Sequence, residues 1–264
     1  MKLKSPWIES FIVGSLQMRC SVVTDCNTGD TIIIDGGEES DRIISWIENF
    51  EGTGPDWSIG PKSADEMEKR GVKKRNVVAL VNTHAHYDHS GHIPYFIEKY
   101  GVEWYLHKDD FFLQTLAKKS ALSRGIIVPE PAVADKLLED EEVYNFGSIS
   151  LKNFHTPGHT LGGCSLLLSI SDGPDHVFVG DTLFAGSVGR TDLPNTGGDF
   201  TVLSNSIKTK LWPLDPKTIV HPGHGPMTTI GIEKLTIFII RIPRTAKPRI
   251  TSMDMILSFI FLIL

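Results

Sequence analysis

Three histidines and a carboxylate fall within six residues in Thr83-His84-Ala85-His86-Tyr87-Asp88-His89, directly behind the apolar run Val77-Val78-Ala79-Leu80-Val81. Neutral imidazoles and carboxylates suit zinc and other borderline divalent ions, and residues two apart in an extended loop can point at one centre. His84 and His86 are therefore expected to share an ion. Ile93, Phe96, Ile97 and Tyr100 then recur at the spacing of a helix face. Asp88 and His89 should project from the start of that helix, facing the same cavity from another direction, where they could serve a second ion. A solvated turn of polar residues is the competing reading, and the spacing tells against it.

An ion needs about four ligands, so one motif cannot fill two ions and the rest of the chain must supply partners. Three are offered. His159 sits in Thr156-Pro157-Gly158-His159-Thr160, a turn after the strand-like Ser150-Leu151-Lys152-Asn153-Phe154. Asp181 closes Val177-Phe178-Val179-Gly180-Asp181, which leaves a carboxylate at a sheet edge. His224 lies in His221-Pro222-Gly223-His224-Gly225, after the short run Thr218-Ile219-Val220. A lone Gly-Asp, or a lone histidine in a Pro-Gly turn, is more often structural than a ligand; the series as a whole is not ordinary.

Taken in order, His84, His86, Asp88, His89, His159, Asp181 and His224 resemble the HxHxDH, His, Asp, His series of the metallo-beta-lactamase superfamily, over roughly residues 10–234. Within it, Thr156–Thr160, Gly180-Asp181-Thr182-Leu183-Phe184 and His221–Gly225 are similar to glyoxalase II-like hydrolases. Gly189-Arg190-Thr191-Asp192-Leu193-Pro194 resembles the small, single-domain members of that group. The resemblance implies an α/β fold, an αββα sandwich, holding two divalent metal ions. His84, His86 and His159 would hold one ion and Asp88, His89 and His224 the other, with Asp181 bridging. Zinc is the expected metal, and iron and manganese are compatible with the same donors.

The activity this implies is hydrolysis of an S-acylglutathione-type thioester by a metal-bridging hydroxide, with Asp88 and Asp181 as catalytic residues that orient it as well as bind metal. Leaving-group chemistry points the same way. A thiol of pKa near 8.5 departs as thiolate, whereas an amine leaving an amide needs a proton, and no residue beyond the ligands is an obvious donor. Two-domain glyoxalase II enzymes add a helical C-terminal domain that binds part of the tripeptide. Only about 40 residues follow His224, so hydrolysis is better supported than the identity of the thiol. The alternatives are an iron-dependent persulfide dioxygenase, which has the same fold and a similar Gly-Arg-Thr-Asp segment, and a lactonase or β-lactamase-like hydrolase. A non-catalytic binding module is least compatible with a complete ligand series.

The chain has 264 residues, of which 1–234 are expected to form one catalytic domain. Its formal net charge of −6 gives no basic footprint for nucleic acid. RNA-processing nucleases of the superfamily also carry a large inserted domain that has no counterpart here. Cys20, Cys26 and Cys164 form no CxxC pair and leave an odd one over, which fits a reducing cytoplasm. Cys164 is read as a small buried residue of the strand Cys164-Ser165-Leu166-Leu167-Leu168 rather than a thiolate ligand. No secretory signal is expected, because Ser5-Pro6-Trp7-Ile8-Glu9 interrupts any apolar segment behind the basic start.

Residues 235–264 are anomalous: two apolar runs flank a basic patch of Arg241, Arg244, Lys247 and Arg249. Neither run approaches the ~20 residues needed to cross a bilayer. A frame or truncation artefact is the first reading and a peripheral membrane tail the second.

The elements that must position the ligands follow from pattern. Strands are expected over Ile8–Val13, Arg19–Thr24 and Thr31–Asp35, with a helix from Glu39 to Phe50 that turns Ile43, Ile44 and Ile47 to one side. Residues 51–75, rich in Gly, Pro and charge, read as a long surface excursion. In it Lys69, Arg70, Lys73, Lys74 and Arg75 form a solvated face, or alternatively a clamp for an anionic substrate. A short strand Glu103–Leu106, helical stretches over 108–122, strands within 143–179 and a helix over Phe200–Leu211 complete the alternation. Arg190 and Asp192 are expected to pair at the rim of the site. His92, His107, His155, His176 and His221 are read as ordinary histidines, with His221 shaping the turn that aims His224.

Overall fold

The structure, a computed structural model, describes residues 5–237. The anomalous tail expected from residue 235 lies, from 238 onward, outside the described residues. The first half contributes β1 (Trp7–Val13), β2 (Met18–Thr24), β3 (Asp30–Ile34), α1 (Ser40–Asn49), β4 (Trp57–Ser58), α2 (Ala64–Lys69), β5 (Asn76–Val81), α3 (Tyr87–Ser90), α4 (Ile93–Tyr100), β6 (Glu103–Leu106), α5 (Phe111–Leu122) and β7 (Lys136–Leu137). The second contributes β8 (Val143–Phe146), β9 (Ile149–His155), β10 (Cys164–Leu168), β11 (His176–Gly180), β12 (Leu183–Phe184), β13 (Ser187–Val188), α6 (Phe200–Ser206), β14 (Ile219–Pro222), β15 (Thr228–Thr229) and α7 (Ile230–Thr236).

Apart from β12 and β13, which pair only with each other, these strands make two large sheets. One has the order β4-β1-β2-β3-β5-β6-β7, and the other β15-β14-β11-β10-β9-β8. In the first, β1, β2 and β3 run as an antiparallel meander and β3, β5, β6 and β7 are parallel. In the second, β8 to β11 are antiparallel and β14 joins β11 in parallel.

Side-chain alternation along each strand sorts residues between two cores. Ile32, Ile34, Ala79 and Val81 meet Leu151, Leu166, Leu168 and Phe178 between the sheets. Ile33 and Leu80, one step along, pack outward against Ile43 and Ile47 of α1 and Ile93 and Phe96 of α4. On the other side, Val177, Val179 and Val220 meet Leu203, Leu211 and Ile230. The result is the expected αββα sandwich. Burial on both faces explains why Val77–Val81 reads as an unbroken apolar run rather than an alternating one.

Four local expectations change. Asp88 and His89 lie on α3, a separate single turn, and not at the start of α4. Pro94 occupies the second position of α4 and has no N–H for the carbonyl of Ser90, so the two turns cannot fuse. The excursion 51–75 carries β4 and α2, whose Met67 packs with Val72 against Trp7 and Cys26. The helix from Phe200 holds α-geometry only to Ser206 and continues as a π-turn over Ile207–Leu211.

Arg75 is the fourth change. It belongs to neither a solvated face nor a substrate clamp: its Nη2 stands 2.9 Å from Glu9 Oε2, with both side chains fully buried. Its guanidinium lies 4.6 Å from the Phe50 ring centre, and Glu9 also accepts from Trp46 Nε1 at 2.9 Å. A carboxylate inside β1 requires a counter-charge. A run of five cations does not disclose which one turns inward.

Candidate metal centre

All seven candidate ligands sit where β5, β9, β11 and β14 end, along one edge of the sandwich. The loop after β5 is shaped by Asn82, whose amide donates to the carbonyls of His84 (3.3 Å) and His89 (2.8 Å) and whose Oδ1 accepts from Trp104 Nε1 at 2.9 Å. His159 comes from the β9–β10 connection, Asp181 directly follows β11 and His224 follows β14. Gly223 has to be glycine. A Cβ there would lie 2.3 Å from Asp181 Oδ1 and 2.6 Å from the His89 ring.

The side chains gather in two groups that could each hold an ion, His84, His86, His159 and Asp181 in one and Asp88, His89 and His224 in the other. His86 Nδ1 is 3.0 Å from both His84 Nε2 and His159 Nε2, and Asp181 Oδ2 is 3.4 Å from His159 Nε2. In the second group Asp88 Oδ2 stands 3.2 Å from His224 Nε2 and 3.8 Å from His89 Nε2. Asp181 reaches across, with Oδ1 at 3.4 Å from His89 Nε2 and Oδ2 at 3.6 Å from His224 Nε2.

These donors fit divalent metal. Ligand bonds of about 2.0–2.2 Å in a tetrahedron place donor atoms about 3.3–3.6 Å apart, close to the spacings here. The proton bookkeeping agrees. His84 Nδ1 donates to Thr83 Oγ1 at 3.2 Å and His159 Nδ1 to the Arg190 carbonyl at 2.7 Å, so in their neutral forms both Nε2 atoms carry lone pairs. Both face His86 Nδ1, which has at most one hydrogen to offer. His89 Nε2 and Asp181 Oδ1 are buried without a hydrogen-bond partner among the described residues. A cation between the donors resolves each of these.

The outward nitrogens are fixed in the way metal-ligating histidines usually are. His89 Nδ1 donates to Asp35 Oδ2 at 3.0 Å and His224 Nδ1 to the Leu16 carbonyl at 2.9 Å. Asp35 also accepts from the Thr83 amide and hydroxyl, each at 2.7 Å. A single carboxylate thereby orients His89 directly and His84 through Thr83.

Electrostatics divides the two groups. Burial, reinforced by neighbouring imidazoles, pushes His84 well below its usual value and His86 down to about 3, so both are neutral. Burial also works against charge on His89, but Asp181, Asp35 and Asp88 outweigh it and hold it well above. His224 is likewise raised against burial, by its bond to Asp88 and by Asp181. The carboxylates respond in kind: burial opposes them, yet His89 and the other imidazoles keep Asp88 and Asp181 below the ordinary range. Negative charge here demands positive charge, and a ligated cation would replace the protons on His89 and His224.

Asp35 is absent from the sequence candidates, although it directly follows β3 just as Asp181 directly follows β11. An apolar strand closing on a carboxylate was the available signal, and Asp35 adds a left-handed φ of 57°. Arg190 and Asp192 pair as expected, at 2.9 and 3.2 Å and well exposed. The remaining histidines are less ordinary than expected. His176 Nδ1 and His221 Nε2 are 2.8 Å apart in a buried pair, which ties β14 to β11. His107 and His155 stack at 4.0 Å, near-parallel at 13°, beside Asp109. Cys164 is buried in β10, and burial pushes its thiol up, away from the thiolate a ligand would need.

The family model of the metallo-beta-lactamase superfamily matches residues 14–224. The hydroxyacylglutathione hydrolase GloC of Haemophilus influenzae is 32% identical over 229 residues, which cover 86% of this chain and 94% of that protein. Among solved structures, the BLEG-1 B3 metallo-beta-lactamase aligns with a TM-score of 0.70 at 29% identity, over 88% of this chain and 99% of that one. TTHA1623 in a di-iron-bound form aligns at 0.67 and 32% identity, over 87% and 98%. With a match running from the turn after β1 to His224, which takes in the whole edge where the histidines gather, the chain belongs to the metallo-beta-lactamase superfamily of metal-dependent hydrolases.

Proposed function

We propose that the protein is a binuclear metal-dependent thioesterase acting on S-acylglutathione-type thioesters. The observation that carries the metal chemistry is the double donor set, with Asp181 reaching from one group to the other. The thioester preference is supported by the similarity to GloC over nearly its whole length. When bound, two divalent ions supply Lewis-acid polarisation of the acyl carbonyl and a water acidified towards neutrality.

The chain's own residues do the rest. Asp181 holds the two groups at a fixed separation through oxygens that face His159 and His89. Asp88 and Asp181 are the proposed catalytic carboxylates; kept ionised by the surrounding imidazoles, they accept a hydrogen bond from the attacking water and orient it. A thiol of pKa about 8.5 leaves as thiolate, so this reaction needs no separate acid. Zinc is the proposed metal on the histidine-rich, near-tetrahedral donor spacing, and iron is the main competitor, since TTHA1623 has a di-iron-bound form. Three buried free cysteines support a reducing cytoplasm as the location. We take residues 1–234 as the catalytic domain, with α7 running two residues further.

A β-lactamase-like activity is the second reading, favoured by the alignment with BLEG-1. Metal-loaded protein should be offered S-D-lactoylglutathione, a chromogenic cephalosporin, and glutathione persulfide with oxygen. Fastest turnover of the thioester is expected. Ring opening of the cephalosporin alone, or oxygen consumption with persulfide alone, would replace the thioesterase by the corresponding alternative.

A further inference from the structure

Asp110 takes no part in the chemistry above, yet it is fully buried and its carboxylate accepts three hydrogen bonds. Oδ2 receives the Ala85 amide at 3.0 Å and the Thr160 hydroxyl at 2.9 Å, and Oδ1 receives the Gly162 amide at 2.6 Å. Ala85 lies between His84 and His86, and Thr160 follows His159. One side chain thus joins the loop that carries two donors of the first group to the loop that carries the third. The second loop is cut to admit it. A Cβ on Gly162 would lie 2.6 Å from the Asp110 amide nitrogen and 2.8 Å from its Cβ and Cγ.

All three partners donate, which is what an ionised carboxylate requires. Burial leaves the Asp110 carboxyl raised, with the Gly162 and Ala85 amides and the Thr160 hydroxyl offsetting part of that. Asp35 stands in a comparable place behind His89. Asp110 touches no ligand imidazole in the same way, and it acts on the spacing between the loops.

We infer that Asp110 is a positioning residue for the first ion, setting the separation between the His84–His86 pair and His159 and with it that site's affinity. The inference rests on the proposed reading that these histidines hold an ion. Asp110→Asn keeps the volume but places an NH2 against at least one N–H or O–H donor. Outer residues of this kind typically change metal affinity by about 10–100-fold.

The test is a titration of the metal-stripped full chain with Zn2+ against a chromophoric chelator. The two steps are assigned with His159→Ala, which removes the first, and His224→Ala, which removes the second. Asp110→Asn should weaken the first step by about 10–100-fold and leave the second within about threefold. A merely structural role would weaken both steps together, and that result, or two unchanged steps, would overturn the inference. If Asp110→Asn does not fold, Thr160→Val removes one donor only and should weaken the first step less but still selectively; no change there counts against Asp110 equally. Wild-type protein with no step sensitive to His159→Ala would overturn the metal reading itself, and the inference with it.

Discussion

Replacing Asp35 by asparagine tests whether the second donor group is held from behind. In the native site Oδ2 accepts from His89 Nδ1 at 3.0 Å, so the proton an incoming ion must displace is the one on Nε2, which faces Asp181. An asparagine can still accept the Thr83 amide, but its NH2 then faces the Thr83 hydroxyl and His89 Nδ1. The hydroxyl can rotate; the imidazole has to move its proton to Nε2, where an ion would otherwise bind. His89 is fully buried, so water does not screen the change. A hydrogen bond to a charged group contributes about 1.5–3 kcal/mol. At about 1.4 kcal/mol per tenfold, that is roughly 10–150-fold in affinity, overlapping the 10–100-fold typical of residues behind metal ligands. The assay is Zn2+ competition on stripped protein, with the steps assigned by His159→Ala and His224→Ala. Loss concentrated in the second step is expected. Equal loss in both steps, or less than about threefold in either, would refute the argument that Asp35 works through the His89 tautomer.

Other perturbations separate site from scaffold. His86→Ala should lose metal and turnover together, measured by metal analysis and thioester absorbance, whereas Cys164→Ala should keep both. Arg75→Met leaves Glu9 as an uncompensated buried carboxylate and should cost about 3–5 kcal/mol in denaturant unfolding; Glu9→Gln in the same background should recover part of that, and a loss below about 1 kcal/mol would mean water reaches Glu9. The pH dependence of metal-free stability should carry the mark of His176, which burial lowers to about 4. Between about 6.5 and 4 the unfolded chain takes up a proton that the native pair refuses, so its contribution is complete above 6.5 and lost as pH falls through that window. His176→Gln should flatten the profile there by up to about 1.4 kcal/mol per pH unit, and an unchanged slope would remove His176 from the account.

The ligand series was legible because short-range order carries it: HxHxDH stands in one loop, and His159, Asp181 and His224 each follow an apolar strand within a glycine turn. The sandwich was legible for the same reason, since apolar runs such as Val77–Val81 announce strands buried on both faces. Pairings made across the chain were hidden. Asp35 and His89, Glu9 and Arg75, and His176 and His221 each lie 45 or more residues apart, and nothing in either partner's neighbourhood names the other. Asp110 was hidden differently, as one acid in Lys108-Asp109-Asp110, where only burial separates it from its exposed neighbour Asp109. The break between α3 and α4 could have been read from Pro94, but the helical spacing from Ile93 masked it.

The central claim is that two bound ions make this edge a thioesterase, and it is tested most directly by following S-D-lactoylglutathione hydrolysis while metal-stripped protein is titrated with Zn2+. The account predicts no turnover without metal, a rise that saturates at about two ions per chain, and none at any loading in His86→Ala. Hydrolysis that persists in stripped protein, or a folded chain carrying two ions that leaves the thioester intact, would contradict it.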